Sequence, residues 1–142
     1  MQRLPEEVLA RRARLPKKPD PVVLTGERVE LRPLDLDAHV ATLHAVSCGA
    51  PYELGGRRVD AYDADELIWR YMKGGPHRDA AALRDYLAKQ VAAPDQLPMT
   101  VIDRATDSPV GIATFMSNCP EDLKLELGSI WYGAIAQGTG AS

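Results

Sequence analysis

The spacing of apolar residues changes character along the chain, and the changes mark out its elements. Residues 5–14, PEEVLARRAR, begin with a proline suited to a first helical turn and place acids ahead of bases, which predicts a short helix. The prolines and lysines of RLPKKPDP then break regular structure. Residues 1–21 read as an N-terminal arm, either a solvated, partly ordered extension or a tail that binds phosphate or a partner. After Gly26, Val29 and Leu31 alternate with Arg28, Glu30 and Arg32, the pattern of a half-exposed strand. Asp35 or Asp37 can cap a helix that carries Leu36, Val40, Leu43 and Val46 at helical spacing. Residues 52–62 show little periodicity and read as loop. Asp63, with Glu66 three residues on, resembles a capping box opening a helix through Leu67, Ile68, Tyr71 and Met72. Gly74-Gly75-Pro76 stops that helix. Asp79 caps another, with Leu83, Leu87 and Val91 on one stripe before Pro94.

After Pro98 the period switches to two. Residues 99–103 and 110–117 form strands joined by a turn rich in Asp, Thr, Ser and Pro, which predicts an antiparallel hairpin. A second turn, Asn118 to Asp122, leads to a strand from Leu123. That strand sets Leu125, Leu127 and Trp131 on one face and Lys124, Glu126 and Tyr132 on the other. The order is strand, two or three helices, then three antiparallel strands, an α+β pattern.

Composition narrows the function classes. A chain of 142 residues suits one domain, and 45% hydrophobic with 26% charged residues is the balance of a globular protein. A net charge of -3 argues against a protein that coats nucleic acid. No apolar run approaches the roughly 20 residues of a membrane helix, and the charged N-terminus is unlike a signal peptide. Cys48 and Cys119 are far apart and form no CxxC, so a reducing, cytoplasmic setting is expected and no structural zinc. His39, His44 and His77 lack ligand or triad spacing and read as surface or satisfied histidines. Ser117 and Ser129 have no GxSxG context, and there is no GxxxxGK, HExxH or strand-linked GxGxxG. Trp69 and Tyr71 suit either core packing or the lining of a substrate site.

Three segments together resemble the GNAT superfamily of N-acetyltransferases. GERVELRPLDLDAHV is similar to the first strand and helix of the branch containing ribosomal-protein N-terminal acetyltransferases. DRATDSPVGI, residues 103–112, is similar to that branch's second hairpin. LELGSIWYGAIAQGTGAS, residues 125–142, resembles the fourth strand and the start of the coenzyme A loop, whose family pattern is Gln/Arg-x-x-Gly-x-Gly/Ala. Gln137, Gly140 and Ser142 fall on the defined positions. Ser142 departs from Gly or Ala, and Ala134 stands where the family often has proline.

The resemblance covers residues 22–142 and implies a truncated N-acetyltransferase domain. The expected fold is an incomplete GNAT fold: an N-terminal strand and helices, a three-stranded antiparallel sheet, and a missing C-terminal half. The implied reaction moves acetyl from acetyl-CoA to a primary amine, either a protein N-terminus or a small molecule, and is impaired in this chain. By resemblance, backbone at Ile130, Trp131 and Tyr132 pairs with the pantetheine arm. Gln137, Gly138, Thr139, Gly140, Ala141 and Ser142 turn into a helix whose first amides face the pyrophosphate, an arrangement that favours anions. Thr139 adds a hydroxyl. Glu126 is the candidate general base, its pKa raised by partial burial, or else an exposed glutamate paired with Lys124 or Arg104. The competing reading is a non-catalytic remnant or interaction module that offers an open sheet edge to a partner. Oligomeric state and acceptor stay open.

Overall fold

The computed structural model describes residues 3–141. Helix α1 (Glu6–Arg12) starts at Pro5, with Glu6 and Glu7 in its first turn and Arg11 and Arg12 in its last, the charge order that suits a helix dipole. The arm continues from it as docked chain. Lys18 Nζ donates to the carbonyls of Val91, Ala93 and Gln96 at 2.7–2.9 Å. These carbonyls lie at and just beyond the end of α3 (Ala80–Ala92), where helix geometry leaves acceptors unpaired. Asn118 Nδ2 binds the carbonyls of Pro16 and Lys17, which ties the arm to the sheet as well.

The sheet has five antiparallel strands in the order β1-β2-β5-β6-β7: β1 (Leu24–Thr25), β2 (Val29–Pro33), β5 (Leu97–Asp103), β6 (Ser108–Cys119) and β7 (Lys124–Tyr132). The expected three-stranded sheet is therefore extended by β2, which pairs with β5 from Val29↔Asp103 to Pro33↔Met99, and by the short β1 beyond it. The alternation of Val29 and Leu31 identified β2 as a strand but carried no sign of its neighbour.

Helix α2 (Leu36–Ala45) is capped by Asp35, whose Oδ1 accepts from the amides of Asp37 and Ala38 at 2.9 and 3.0 Å. Asp79 caps α3 through the amide of Ala82. Both helices lie on one face of the sheet, where Val40, Leu43, Leu83 and Leu87 pack with Ile112, Trp69 and Trp131. A second core on the opposite face joins Val101, Val110 and Ala113 to Ile135 and Ala136.

Two helix and loop expectations change. Residues 52–62, expected as loop, include a hairpin of β3 (Tyr52–Leu54) and β4 (Arg57–Val59). Its two-residue turn, Gly55-Gly56, has φ of 57° and 76°, the left-handed pair that matches strand twist and that glycine adopts without strain. The helix expected through Met72 is a single wide π turn, Asp65–Trp69, closed by Arg70 N to Asp65 O at 2.7 Å. Asp63 caps it as read, through Glu66 N at 3.0 Å. The wide turn delivers Trp69 into the core, where its indole donates to Ser47 O at 2.9 Å.

Replacing Lys18 by Ala removes three charge-assisted bonds from an exposed site and is expected to cost about 1 kcal/mol in urea unfolding. It should also speed proteolysis within residues 3–20. An unchanged midpoint and cleavage rate would show that the arm is not held by Lys18.

Candidate functional site

Strand β7 borders the sheet. One edge pairs with β6, and no strand covers the other among the described residues. Its register is interrupted: Thr114 faces Gly128 and Ile112 faces Trp131, so one extra residue is accommodated on β7, with Ser129 at φ 47°. This bulge corrects the expected parity. Glu126, Gly128 and Trp131 now follow Met116, Thr114 and Ile112 on the helix-covered face, whereas Leu127 opposes Phe115 on the other. Ser129 and Ile130 have no register partner on β6.

The strand ends in a tight seat. Gly133 N donates to Val110 O at 2.7 Å, and Ala134 N to Val46 O at 3.3 Å. A Cβ on Gly133 would lie 2.7 Å from Val46 Cβ and 2.8 Å from its carbonyl oxygen, so only glycine permits the approach. The same Val46 carbonyl accepts the Tyr62 hydroxyl at 2.9 Å. Burial pushes the Tyr62 pKa up to about 12. Above the seat, Trp131 packs against Trp69 with ring centroids 4.8 Å apart and planes tilted by 46°.

Residues 134–141 form turns, and among the described residues no helix follows. Ser142 lies outside the described residues. The loop is braced from several elements. Ile135 N donates to Tyr52 Oη at 3.0 Å, and Arg57 Nη1 to Ile135 O at 3.3 Å. Gln137 spends its side-chain amide on the carbonyls of Leu67 and Tyr132 at 3.2 and 3.1 Å, so it fixes the loop's exit from β7 and offers a ligand only its backbone. The Thr139 hydroxyl donates to Ala136 O at 2.6 Å and accepts from Ala141 N at 3.1 Å. It braces the turn, which corrects its expected role as a free donor. The amides of Gln137, Gly138 and Gly140 carry no hydrogen bond among the described residues. Gly138, at φ 71°, has open space where a Cβ would stand. Of the strand residues, Ile130 is exposed and unpaired, Trp131 is paired and buried, and the Tyr132 carbonyl is taken by Gln137.

Beside the loop is a cavity of about 220 Å³ lined by Arg28, Arg57, Thr106, Val110, Thr139 and Gly140. The two arginines come from the bend just before β2 and from the start of β4. Sequence reasoning missed both, since nothing local relates positions 28, 57 and 140. The Gly55-Gly56 turn was the available signal for Arg57.

Glu126 takes the second of its two expected environments. It is exposed and pairs with Lys124 Nζ at 3.1 Å, and hydrogen bonds from Lys124 and Ser117 hold its carboxyl below the usual 4.5. Partial burial does not raise it. On the same sheet face, a groove of about 410 Å³ is lined by Tyr71, Tyr86, Gln90, Met116, Ser129 and Ile130. Trp69 and Tyr71 thus divide: the first is core, and the second, 92% exposed, stands at the groove. His39 Nδ1 meets Thr100 Oγ1 at 2.9 Å, His44 Nε2 meets His77 O at 3.1 Å, and His77 lies edge-on to Trp69. No group of three metal-ligating side chains converges among the described residues. No described helix is long and apolar enough to cross a membrane.

No family model and no curated protein matches the sequence. Solved structures do match. A GCN5-related N-acetyltransferase from Brucella melitensis aligns with TM-score 0.68 at 26% identity, over 83% of this chain and 48% of its own. A GNAT-family protein from Chromobacterium violaceum aligns with TM-score 0.70 at 22% identity, over 89% of this chain and 57% of its own. The chain carries the GNAT fold. It spans about half the length of these GNAT structures.

Tyr62→Phe removes the hydroxyl from Val46 O and is expected to cost about 1 kcal/mol. Because the folded pKa is raised, the stability that Tyr62 gives is complete below about pH 10 and lost as pH rises toward 12. Absorbance titration should therefore show one tyrosine ionising near 12 that the variant lacks. If the two titrations coincide, Tyr62 does not hold the seat.

Proposed function

We propose that this GNAT-fold chain is part of an acyltransferase that moves an acetyl group from acetyl-CoA to a primary amine, a protein N-terminus or a small molecule. The observation that supports it best is a border strand running into a glycine turn with unbonded amides at Gln137, Gly138 and Gly140, flanked by two arginines. Unpaired amides and positive charge are what a diphosphate requires. The open space at Gly138 lets phosphate oxygens approach the backbone. In this reading Ile130, with Trp131 and Tyr132 around it, lines the pantetheine arm. The amine enters the groove at Tyr71, Gln90 and Met116. The acceptor ammonium loses a proton to the Glu126 carboxylate through water, the amine nitrogen bonds to the acetyl carbon, the carbon–sulfur bond breaks, and the second proton lost from nitrogen leaves on the sulfur as the thiol. A depressed pKa keeps Glu126 ionised and ready to accept that proton, though as a weaker base than a buried carboxylate. The likeness of GERVELRPLDLDAHV to the ribosomal-protein branch favours a protein N-terminus, and the unpaired Cys48 and Cys119 accord with a cytoplasmic setting.

Binding is expected to be weak, because β7 has no second strand to form the other wall of the pantetheine site among the described residues. Amide spectra of the 142-residue chain titrated with acetyl-CoA should shift at Ile130, Gly138 and Gly140, with affinity weaker than micromolar. Absence of shifts at these positions at millimolar ligand would remove the reading.

Glu126 has its own test. Its stabilising pairing is complete above the ordinary carboxylate pKa and lost as pH falls through the lowered folded value. Carboxyl carbon shifts should give a midpoint below 4.5 that rises toward 4.5 in Lys124→Ala. A midpoint above 4.5 would restore the buried-base picture.

The exposed side chains of Leu125 and Leu127 on the same border strand, with Leu123 just ahead of it, favour one second reading, an interaction module using the open sheet edge. Self-association in sedimentation, abolished by Leu127→Lys and unaccompanied by acetyl-CoA shifts, would support it over the enzyme.

A further inference from the structure

We propose that Arg28 and Arg57 form a second anion contact beside the glycine turn and read the 3′-phosphate on the ribose of the coenzyme. This rests on the acetyl-CoA reading and adds a specificity determinant to it. Coenzyme A carries two kinds of phosphate, a diphosphate and a monoester on the ribose, and the monoester bears close to two negative charges near neutral pH. The three unbonded amides of the turn suit the diphosphate. They leave the monoester without a partner.

The cavity that adjoins the turn supplies that partner. Arg28 and Arg57 enter it from elements 29 residues apart in sequence, and a guanidinium presents paired donors that match phosphate oxygens. Arg57 uses one donor on Ile135 O and keeps the others. The Arg28 side chain forms no ion pair or hydrogen bond among the described residues. It lies against Gly140, in the space that any side chain at 140 would fill. Gly140 is thus the position where the turn admits an arginine from outside. Asp103, which also borders the cavity, offsets part of their charge but forms no ion pair with either: Oδ1 accepts from Ala105 N and Oδ2 from Thr106 Oγ1, both at 3.1 Å. Two cations in one small cavity, neither paired with a carboxylate, is an unusual placement in a chain of net charge -3. A doubly charged anion resolves it.

The test compares acetyl-CoA, its 3′-dephospho analogue and inorganic phosphate as ligands of the 142-residue chain, followed by amide shifts so that weak affinities are measurable. Acetyl-CoA is expected to bind about tenfold tighter than the dephospho form, as loss of a charge-assisted contact implies. Arg28→Gln and Arg57→Gln should each weaken binding of acetyl-CoA more than binding of the dephospho form, and so shrink that preference. Arg28→Lys, which keeps charge and stem, should retain part of it, and covers the case in which Arg28→Gln disturbs the turn. Equal affinity for the two coenzyme forms would overturn the inference and leave the acetyl-CoA reading standing. Binding of neither form would remove both. Inorganic phosphate that matches acetyl-CoA at Gly140, with no preference between coenzyme forms, would show a general anion site and overturn the assignment.

Discussion

The closeness of Gly133 to Val46 is the constraint on which the rest of the site depends. At that point the end of β7 lies directly on the end of α2, and the Val46 carbonyl takes both the Ala134 amide and the Tyr62 hydroxyl. A carbonyl in the last turn of a helix has no partner within the helix, so it is available to hold another segment. Here it fixes the direction in which the chain leaves the sheet. Trp131 and Trp69, packed at a tilt just before this point, bury the apolar area that makes the contact worth forming. The loop inherits its position from these contacts, since its own residues add turns and no regular element.

From this seat the two faces of β7 acquire different surroundings. The bulge at Ser129 is what separates them. Without it, Trp131 would share a face with Leu127 and the helix-side core would lack its second indole. With it, Glu126 joins the side that carries the groove near Tyr71 and Met116, while the glycine turn and the two arginines gather beyond the strand's end. In the proposed reading, a single strand serves as a wall shared by a place for an anion and a place for an acceptor.

Much of the scaffold was legible from local chemistry. Asp35, Asp63 and Asp79 cap where they were read to cap, because capping depends on a side chain and amides only two or three residues away. The strands from Leu97 to Tyr132 lie where the alternation of their residues put them, with the parity of β7 kept only as far as the bulge at Ser129. What escaped was set by distance or by backbone torsion. The bulge rests on Ser129 in a left-handed conformation, which serine does not announce. Arg28 reaches Gly140 only once the sheet has formed, and which of its two expected environments Glu126 takes depends on Lys124 and Ser117 beside it. The Gly55-Gly56 hairpin is a different case. Its turn signal was present, and the short flanking strands obscured it.

Hydrogen exchange of the individual loop amides tests the central claim most directly, before any ligand is added. The account expects Gly133, Ala134 and Ile135 to be protected, because they donate to Val110, Val46 and Tyr52. Gly138 and Gly140 should exchange close to the rate of free peptide. Slow exchange at Gly138 and Gly140 would mean that their donors are already engaged, and rapid exchange at Gly133 and Ala134 that the seat does not hold. Either result would contradict a pre-formed turn with amides kept open for an anion.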